Sequence, residues 1–592
     1  MPGIYGFKKS GALFSTRLTE VAGTMKLYDH FIQDDLYEDE SIAASRVHLG
    51  KIGEKVSPVT LGGLKIWVEG EAYNHKEVAA SLGLQRLGLA DLLLEAHATN
   101  KLDTFLNNLD GYFCAALYDK DMQQIKLISD RYGMRMLYWY TKDGAFAWGS
   151  EVKAILACEG VDKTIDPTSY ECFMDLGYLL GEHTWFEQIK LIKPATVLTY
   201  DLKTQKIEQH YYWTWAEVKP CDLTFDQAVD ELGLRFINAV ERRFNPKENV
   251  GIALSGGLDS RAIFAAVEHL YPDFKGYAYT FGTPGCDDIT IAEQVIKRSN
   301  WSHQNFHFSE QNWFYPRLEK VWNTDGMQDM MHMHGGEFID EIATNMTVNL
   351  NGYSGDAIFG GGFLSRIPLN KRIKIDNAKK IYKDFSQLAN IDDPFYDISK
   401  AEPNLQMNRV RRFTAMGTVN TLIACEQRKP FFDNSCVELI FSIPDEYRIN
   451  NKLYSAMLQK YFPKYFRDIP WQKTGKPAGT LGKSSISKRA FNKILRHLKS
   501  AVGIQATKDY TDYNNWLRSP EISQYLTKLL DPKTALYPSI TNQDFLVDYL
   551  TYHLNNKLID KSNQILRAAT MEIYLRQVYG KELPTGQSHG HP

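Results

Sequence analysis

Two textures in one chain predict a two-part fold: an antiparallel α+β domain, then an α/β domain with a largely parallel sheet and a mainly helical C-terminal part. The first observation is a set of short, alternating apolar segments up to about Trp213, among them "GGLKIWVEGEAYN", "GYFCAALYDK", "IKLISDRYG" and "MLYWYTKDGAFAWGS". Gly, Asp and Lys turns separate them, as in strands of an antiparallel sheet. The second is a change at Leu223, after which apolar runs of strand length and of helix length alternate. The third is "NVGIALSGGLDSRAIFAAVEHL", residues 249–270, an apolar run broken by a polar, glycine-rich insert and resumed at once.

Taken in order, "HKEVAASLGL" and "GLADLLLEAH" read as helices interrupting the strands of the first part. "LTFDQAVDELGLRFINAVERRF" is an amphipathic helix, followed by a strand over 250–254 and a helix over 261–270. "YAYTFGTP" reads as the next strand and "DITIAEQVIKRS" as the next helix, while "NMTVNLNGYSGDAIFGGGF" is a strand running into a glycine-rich loop. Such a succession gives a parallel sheet with ligands beyond its carboxyl edge. Beyond about Tyr382 the texture is helical, with polar breaks at 391–403 and 475–482, and "GKELPTGQSHGHP" reads as a loose tail. The expected domains are 1–215 and 222–580, with a tail at 581–592.

Length and composition bound the function. The 592 residues, 44% hydrophobic and 23% charged, fit a globular protein of about two to four domains. A formal net charge of −3 gives no electrostatic reason to expect nucleic acid or an anionic membrane as partner. No run is long enough to span a bilayer and no signal-peptide pattern stands at the start, so the expected location is the cytoplasm. Seven dispersed cysteines without CxxC spacing read as reduced thiols.

The insert "SGGLDS" sits where a strand feeds a helix. Free N–H groups and the positive end of the helix dipole favour an anion there, and two adjacent glycines let the chain turn closely around it. Asp259 repels phosphate, so its carboxylate fits a divalent cation bridging to phosphate oxygens. A helix simply capped by Asp259 or Ser260 is the plain alternative. The lysine and spacing of GxxxxGK[ST] are absent, as is GxGxxG. In "MHMHGGE", His332 and His334 would share a face of a strand, but no third matched ligand accompanies them. A second acidic loop, "GYSGD", follows the strand ending at Leu350; if that strand lies beside the one ending at Leu254, Asp259 and Asp356 meet in one crevice over Mg²⁺.

"SGGLDS", "GYSGDAIFGG" and "CEQRKPFFDNSCVELIFSIP" together resemble the ATP-pyrophosphatase half of the asparagine synthetase superfamily. "EGEAYNHKEV", "DGYFCAALYD", "ISDRYGMRMLYW" and "FAWGSEVKAIL" resemble, in order, its N-terminal glutaminase domain. The resemblance implies an Ntn-hydrolase-like α+β sandwich followed by an adenine-nucleotide α-hydrolase-like PP-loop domain. It implies ATP and Mg²⁺: Leu254, Ser255, Gly256, Gly257, Asp259, Ser260 and Gly352 line the nucleotide, and Asp259 and Asp356 hold the metal. Lys473, with Lys476 as alternative, matches the lysine that steadies the adenylate; a basic surface turn is the plain reading of "KTGKPAG".

The resemblance fails where glutamine would be hydrolysed. The family's nucleophilic cysteine at position two is Pro2 here, its asparagine before Gly-Glu is Glu69, and an Arg-Gly-Pro-Asp segment is missing. Glutaminase activity is therefore expected to be lost. Three positions before the metal-binding aspartate the family has a catalytic glutamate; here stands Tyr353, which resembles the β-lactam synthetase and lasso-peptide cyclase branch, where a tyrosine helps deprotonate the attacking nitrogen. A free phenol, with a pKa of about 10, needs a partner for that task; Glu426 is the candidate, with a purely structural role as the equal alternative. The resemblance thus implies a small-molecule or peptide substrate bearing both carboxylate and amine, and leaves room for a biosynthetic partner protein. Asparagine formation from free ammonia and a non-catalytic scaffold are the alternatives.

Overall fold

The computed structural model describes residues 1–9, 13, 15–364, 373–480 and 509–584. The far end of the expected tail, 585–592, and of the polar break at 475–482 lie outside these residues. The first lobe is a sandwich of a seven-stranded and a six-stranded antiparallel sheet. Gly3–Lys8 lies between Ile42–His48 and Ala145–Gly149 in one, and Gly111–Asp119 between Leu64–Ala72 and Gln124–Ser129 in the other. Ile4 and Trp148 from the first sheet and Trp67, Ala116 and Leu127 from the second share one buried cluster, as the alternation of their strands requires. All of Gly111–Asp119 is buried, because the helices His75–Leu82 and Leu89–Ala98 accompany the outer side of that sheet.

The second part begins with the helix Phe225–Arg243. Thr224 and Gln227 form a reciprocal capping box at its start, and Ala228, Leu232, Phe236 and Val240 form its buried stripe. Five strands then make a wholly parallel sheet in the order Ser302–His307, Tyr277–Gly282, Val250–Ala253, Val348–Leu350, Glu426–Arg428. The chain lays down two strands on one side of Val250–Ala253, then returns to place Val348–Leu350 on the other. The strand order reverses between these two neighbours, which opens a crevice at their carboxyl ends.

Helices fill most of the remainder, including Asn434–Ser442, Lys452–Tyr461, Pro520–Leu529 and Ser562–Val578. The helical reading beyond Tyr382 needs one correction: Glu426–Arg428 is the fifth strand of the sheet. Among the described residues no helix is long and apolar enough to cross a membrane.

Ion pairs bind the sandwich to the parallel sheet. Buried Arg243 donates to Asp110 at 2.7 Å and to Asp433 at 2.9 Å, and Arg428 donates to Glu71 at 2.7 Å and to Glu248 at 2.6 Å. Arg135 donates to Glu426 and stands 3.8 Å from Glu69. Removing one member of such a set strands a charge without water, at a cost of about 3–5 kcal/mol.

Candidate active site

The loop 254–258 and the loop 351–354 leave adjacent strands at the switch point. Their strands pair in parallel, Val250 opposite Val348 and Gly251 opposite Asn349. Leu254 is held to the next strand by its N–H donating to Tyr279 O and its carbonyl accepting from Thr280 Oγ1, both at 2.8 Å. The Ser255 N–H donates to Ser260 Oγ at 3.1 Å, and the Gly257 N–H to Ser255 Oγ at 3.2 Å. These local bonds fold the loop tightly ahead of the helix Asp259–Leu270, which starts two residues before the apolar run does.

Contact between the two loops depends on glycine. A Cβ on Gly352 would lie 2.5 Å from Ser260 N and 2.8 Å from Ser260 Cα, so only a residue without a side chain fits. One turn later the Asp356 N–H donates to Asp259 Oδ2 at 2.9 Å, while Tyr454 OH donates to Asp259 Oδ1 at 3.1 Å. The helix does not use Asp259 as its cap: the capping position is Leu258, without a side-chain bond. Burial, reinforced by the nearby Asp356 charge, pushes the Asp259 carboxyl up to about 8. A buried carboxylate opposed by the charge of a second one, with no cation paired to it among the described residues, gains stability from a divalent ion. Ser354 holds a left-handed backbone, φ 57°, in the same turn; such conformations cost energy in a non-glycine residue and cluster at functional sites.

These residues fit Mg²⁺ and a nucleotide. Among the described residues no group of three His, Cys, Asp or Glu is placed to enclose a metal. A pair of carboxylates with phosphate oxygens and water completing the shell is the usual Mg²⁺ arrangement. The histidines of "MHMHGGE" are not on a strand; they flank short 3₁₀ turns, His332 bonded to Asp329 at 2.6 Å and His334 close to Arg317, Tyr510 and Tyr513.

Asp288 is a site residue that sequence reasoning missed. Its Oδ1 accepts from the Gly256 N–H at 2.9 Å and its Oδ2 from Gln472 Nε2 at 2.6 Å. Gln472 also donates its N–H to Gly256 O at 3.1 Å, so the late basic loop docks directly on the glycine loop 254–258. The only signal was an acidic pair, Asp287 and Asp288, opening a helix just after a strand. Lys473 itself is exposed, with Nζ 5.2 Å over the Trp471 ring, and Lys476 is exposed on the same turn.

The expected partnership of Tyr353 and Glu426 is not formed. Tyr353 is buried, its hydroxyl donates to Val410 O, and burial raises its pKa well above the ordinary phenol value. Glu426 is paired with Arg135 and lies at the start of its strand, opposite Val348, whereas Tyr353 lies past the carboxyl edge. The strand separates the two side chains along its length. Lys429, also missed, holds its Nζ 5.0 Å from the centre of the Tyr353 ring.

At the glutaminase positions, Pro2 is buried at the start of the strand Gly3–Lys8. Glu69 points to Arg135, and burial pushes it up to about 7.

Residues 35–213 match the glutamine amidotransferase domain family and residues 231–418 the asparagine synthase family, together more than half of the chain. Glutamine-hydrolyzing asparagine synthetase 3 of Bacillus subtilis is 26% identical over 496 residues, covering 73% of this chain and 78% of that protein. Glutamine-hydrolyzing asparagine synthetase B of Escherichia coli is 22% identical over 435 residues, 68% of each chain. A Methanocaldococcus jannaschii relative is 25% identical over 340 residues, so the chain spans about two thirds (65%) of that relative's length. With an amidotransferase-like sandwich ahead of a parallel sheet that joins two acidic loops at its switch point, the chain belongs to the asparagine-synthetase-like superfamily.

Proposed function

We propose that the protein is an ATP- and Mg²⁺-dependent carbon–nitrogen ligase that activates a substrate carboxylate and joins it to an amine of the same or a second substrate. The observation that carries this reading is the meeting of Asp259 and Asp356 where the strand order reverses. With ATP as co-substrate, Ser255, Gly256, Gly257 and Ser260 cradle the pyrophosphate. Asp259 and Asp356 would hold Mg²⁺, whose charge would offset that of the departing pyrophosphate. The carboxylate oxygen attacks the α-phosphorus and pyrophosphate leaves. The amine nitrogen then attacks the acyl carbon, AMP departs with the bridging oxygen, and an amide remains. Lys473 is placed on a loop that touches Gly256 through Gln472, from which it can reach the phosphates.

Glutamine is not the nitrogen source in this reading. Pro2 offers no thiolate, and Glu69, in the position expected to hold glutamine, is occupied with Arg135. The nitrogen then comes from the organic substrate, as in β-lactam synthetases and lasso-peptide cyclases; the motif position of Tyr353 suggests that branch, while its hydroxyl, donating to Val410 O, does not act as the base. Asparagine formation from free ammonia is the second reading; the relatives' names support asparagine as the product but give glutamine as the nitrogen source. Incubation with glutamine should release no glutamate above a no-enzyme control. Product mass separates the two branches: loss of one water marks cyclisation, gain of an amino group marks amidation. Glutamate release by purified protein would overturn the glutamine-independent reading.

A further inference from the structure

Lys429 is a buried cation without an ion-pair partner among the described residues. Its residue is only 3% exposed, yet its Nζ has no carboxylate or hydrogen-bond partner among the described residues. The amine lies over two aromatic rings, 5.0 Å from the centre of Tyr353 and 5.7 Å from that of Tyr112. The strand Glu426–Arg428 delivers it to the carboxyl edge next to Val348–Leu350, whose following loop carries Tyr353 and Asp356. Its main chain is pinned, because Tyr112 OH donates to Lys429 O at 2.5 Å.

Asp130, the carboxylate whose charge acts on it, and Glu426, three residues before it, have partners of their own. Glu426 binds Arg135, and Asp130 accepts the N–H groups of Tyr132, Met134 and Arg135. On its own strand Arg428 is paired with Glu71 and Glu248. Burial, with the Arg135 charge adding to it, pulls the Lys429 ammonium down to about 7, and Asp130 offsets this only in part. An amine in that state is largely free base at mildly alkaline pH and suited to accept a proton. Tyr353 cannot serve as the acceptor while its hydroxyl donates to Val410 O.

We propose that Lys429 is the proton acceptor for the attacking amine, with Tyr353 and Tyr112 as the walls that hold it unpaired. This rests on the ligase reading above. As the N–C bond forms and the acyl–oxygen bond to AMP breaks, Lys429 Nζ takes the proton from the substrate nitrogen. AMP leaves with the electron pair, and the ammonium afterwards returns its proton to water. Lys429 is thus a further catalytic residue of the amide-forming half-reaction, with no part in adenylation.

Two measurements on the full chain test this. Competitive acetylation of the wild-type protein with acetic anhydride across pH 5–10, read lysine by lysine by mass spectrometry, should show Lys429 titrating near neutrality, well below the ordinary lysine value of about 10.4. Lys429 titrating with the surface lysines would overturn the proposal. So would failure to label at any pH, because an amine closed to a small acyl donor is closed to a substrate. In the second arm, carboxylates that support ATP–pyrophosphate exchange are given either an alkylamine or hydroxylamine, whose nitrogen is already unprotonated at neutral pH. Lys429→Met should lower amide formation with the alkylamine by about 10²-fold or more while exchange and hydroxamate formation persist, and Lys429→Arg should not restore it. Rescue by Lys429→Arg would reduce the residue to a fixed charge. Absence of exchange in the wild type, with Lys429 still titrating near neutrality, would count against the ligase reading instead.

Discussion

Gly352→Ala probes the contact on which the two loops depend. The added methyl carbon would stand 2.5 Å from Ser260 N, 2.8 Å from Ser260 Cα and 3.0 Å from Asp259 C. All three are backbone atoms at a helix start, so no side chain can rotate away. Restoring an ordinary contact of about 3.5 Å moves one loop by about 1 Å, enough to break the 2.9 Å bond from Asp356 N to Asp259 Oδ2. Overpacking of this kind costs about 1–3 kcal/mol, and a misplacement of about 1 Å in a reacting constellation costs on the order of 10²-fold in rate. Mg²⁺-dependent ATP–pyrophosphate exchange and a thermal melt, run side by side, should show a modest loss of stability and a loss of exchange far beyond it. Gly23→Ala is the control, since nothing lies within 4 Å of its added carbon. Gly352→Ala exchanging at the wild-type rate would refute the shared-site geometry.

Asp259→Asn and Asp356→Asn should each lower Mg²⁺-dependent pyrophosphate release by about 10²-fold or more in a folded chain, checked by circular dichroism on the same samples. Because folding lifts the Asp259 carboxyl to about 8, its ionisation weakens the ligand-free protein progressively as pH rises from about 4 to 8. Binding of Mg²⁺ with ATP should therefore release close to one proton from this site at pH 7 and almost none above about pH 9, measured by calorimetry in buffers of different ionisation enthalpy; Asp259→Asn should abolish that portion. Arg135→Leu leaves Glu69 and Glu426 buried without their cation and should destabilise by about 3–5 kcal/mol in denaturant melts at pH 8. Lys473→Ala should slow both adenylation and amide formation, read by single-turnover quench-flow, if its charge reaches the phosphates.

Where the fold was legible, the reason was local. Strands such as Gly111–Asp119 and Val250–Ala253 are dense in apolar residues because they are buried, and glycine with aspartate marks both loops at the switch point. Two strands of the parallel sheet escaped. Ser302–His307 is an edge strand, half exposed and polar, so its pattern does not stand out. Glu426–Arg428 is buried but charged, because Arg135, Glu71 and Glu248 neutralise it from distant parts of the chain. The same cause hid the fate of Glu426: the sequence offers it as a partner for Tyr353, but strand register and a distant arginine decide where its carboxylate goes. Asp288 and Lys429 were invisible for a related reason, since what matters is respectively a bond to a loop backbone and an ammonium with no ion pair among the described residues.

The central claim is that a substrate carboxylate is activated by transfer to the α-phosphorus of ATP. It is tested most directly by enriching that carboxylate with oxygen-18 and weighing the nucleotide product. The account predicts AMP carrying one heavy oxygen, with pyrophosphate released in equal amount and no glutamine required. Unlabelled AMP, or ADP with inorganic phosphate, would contradict it.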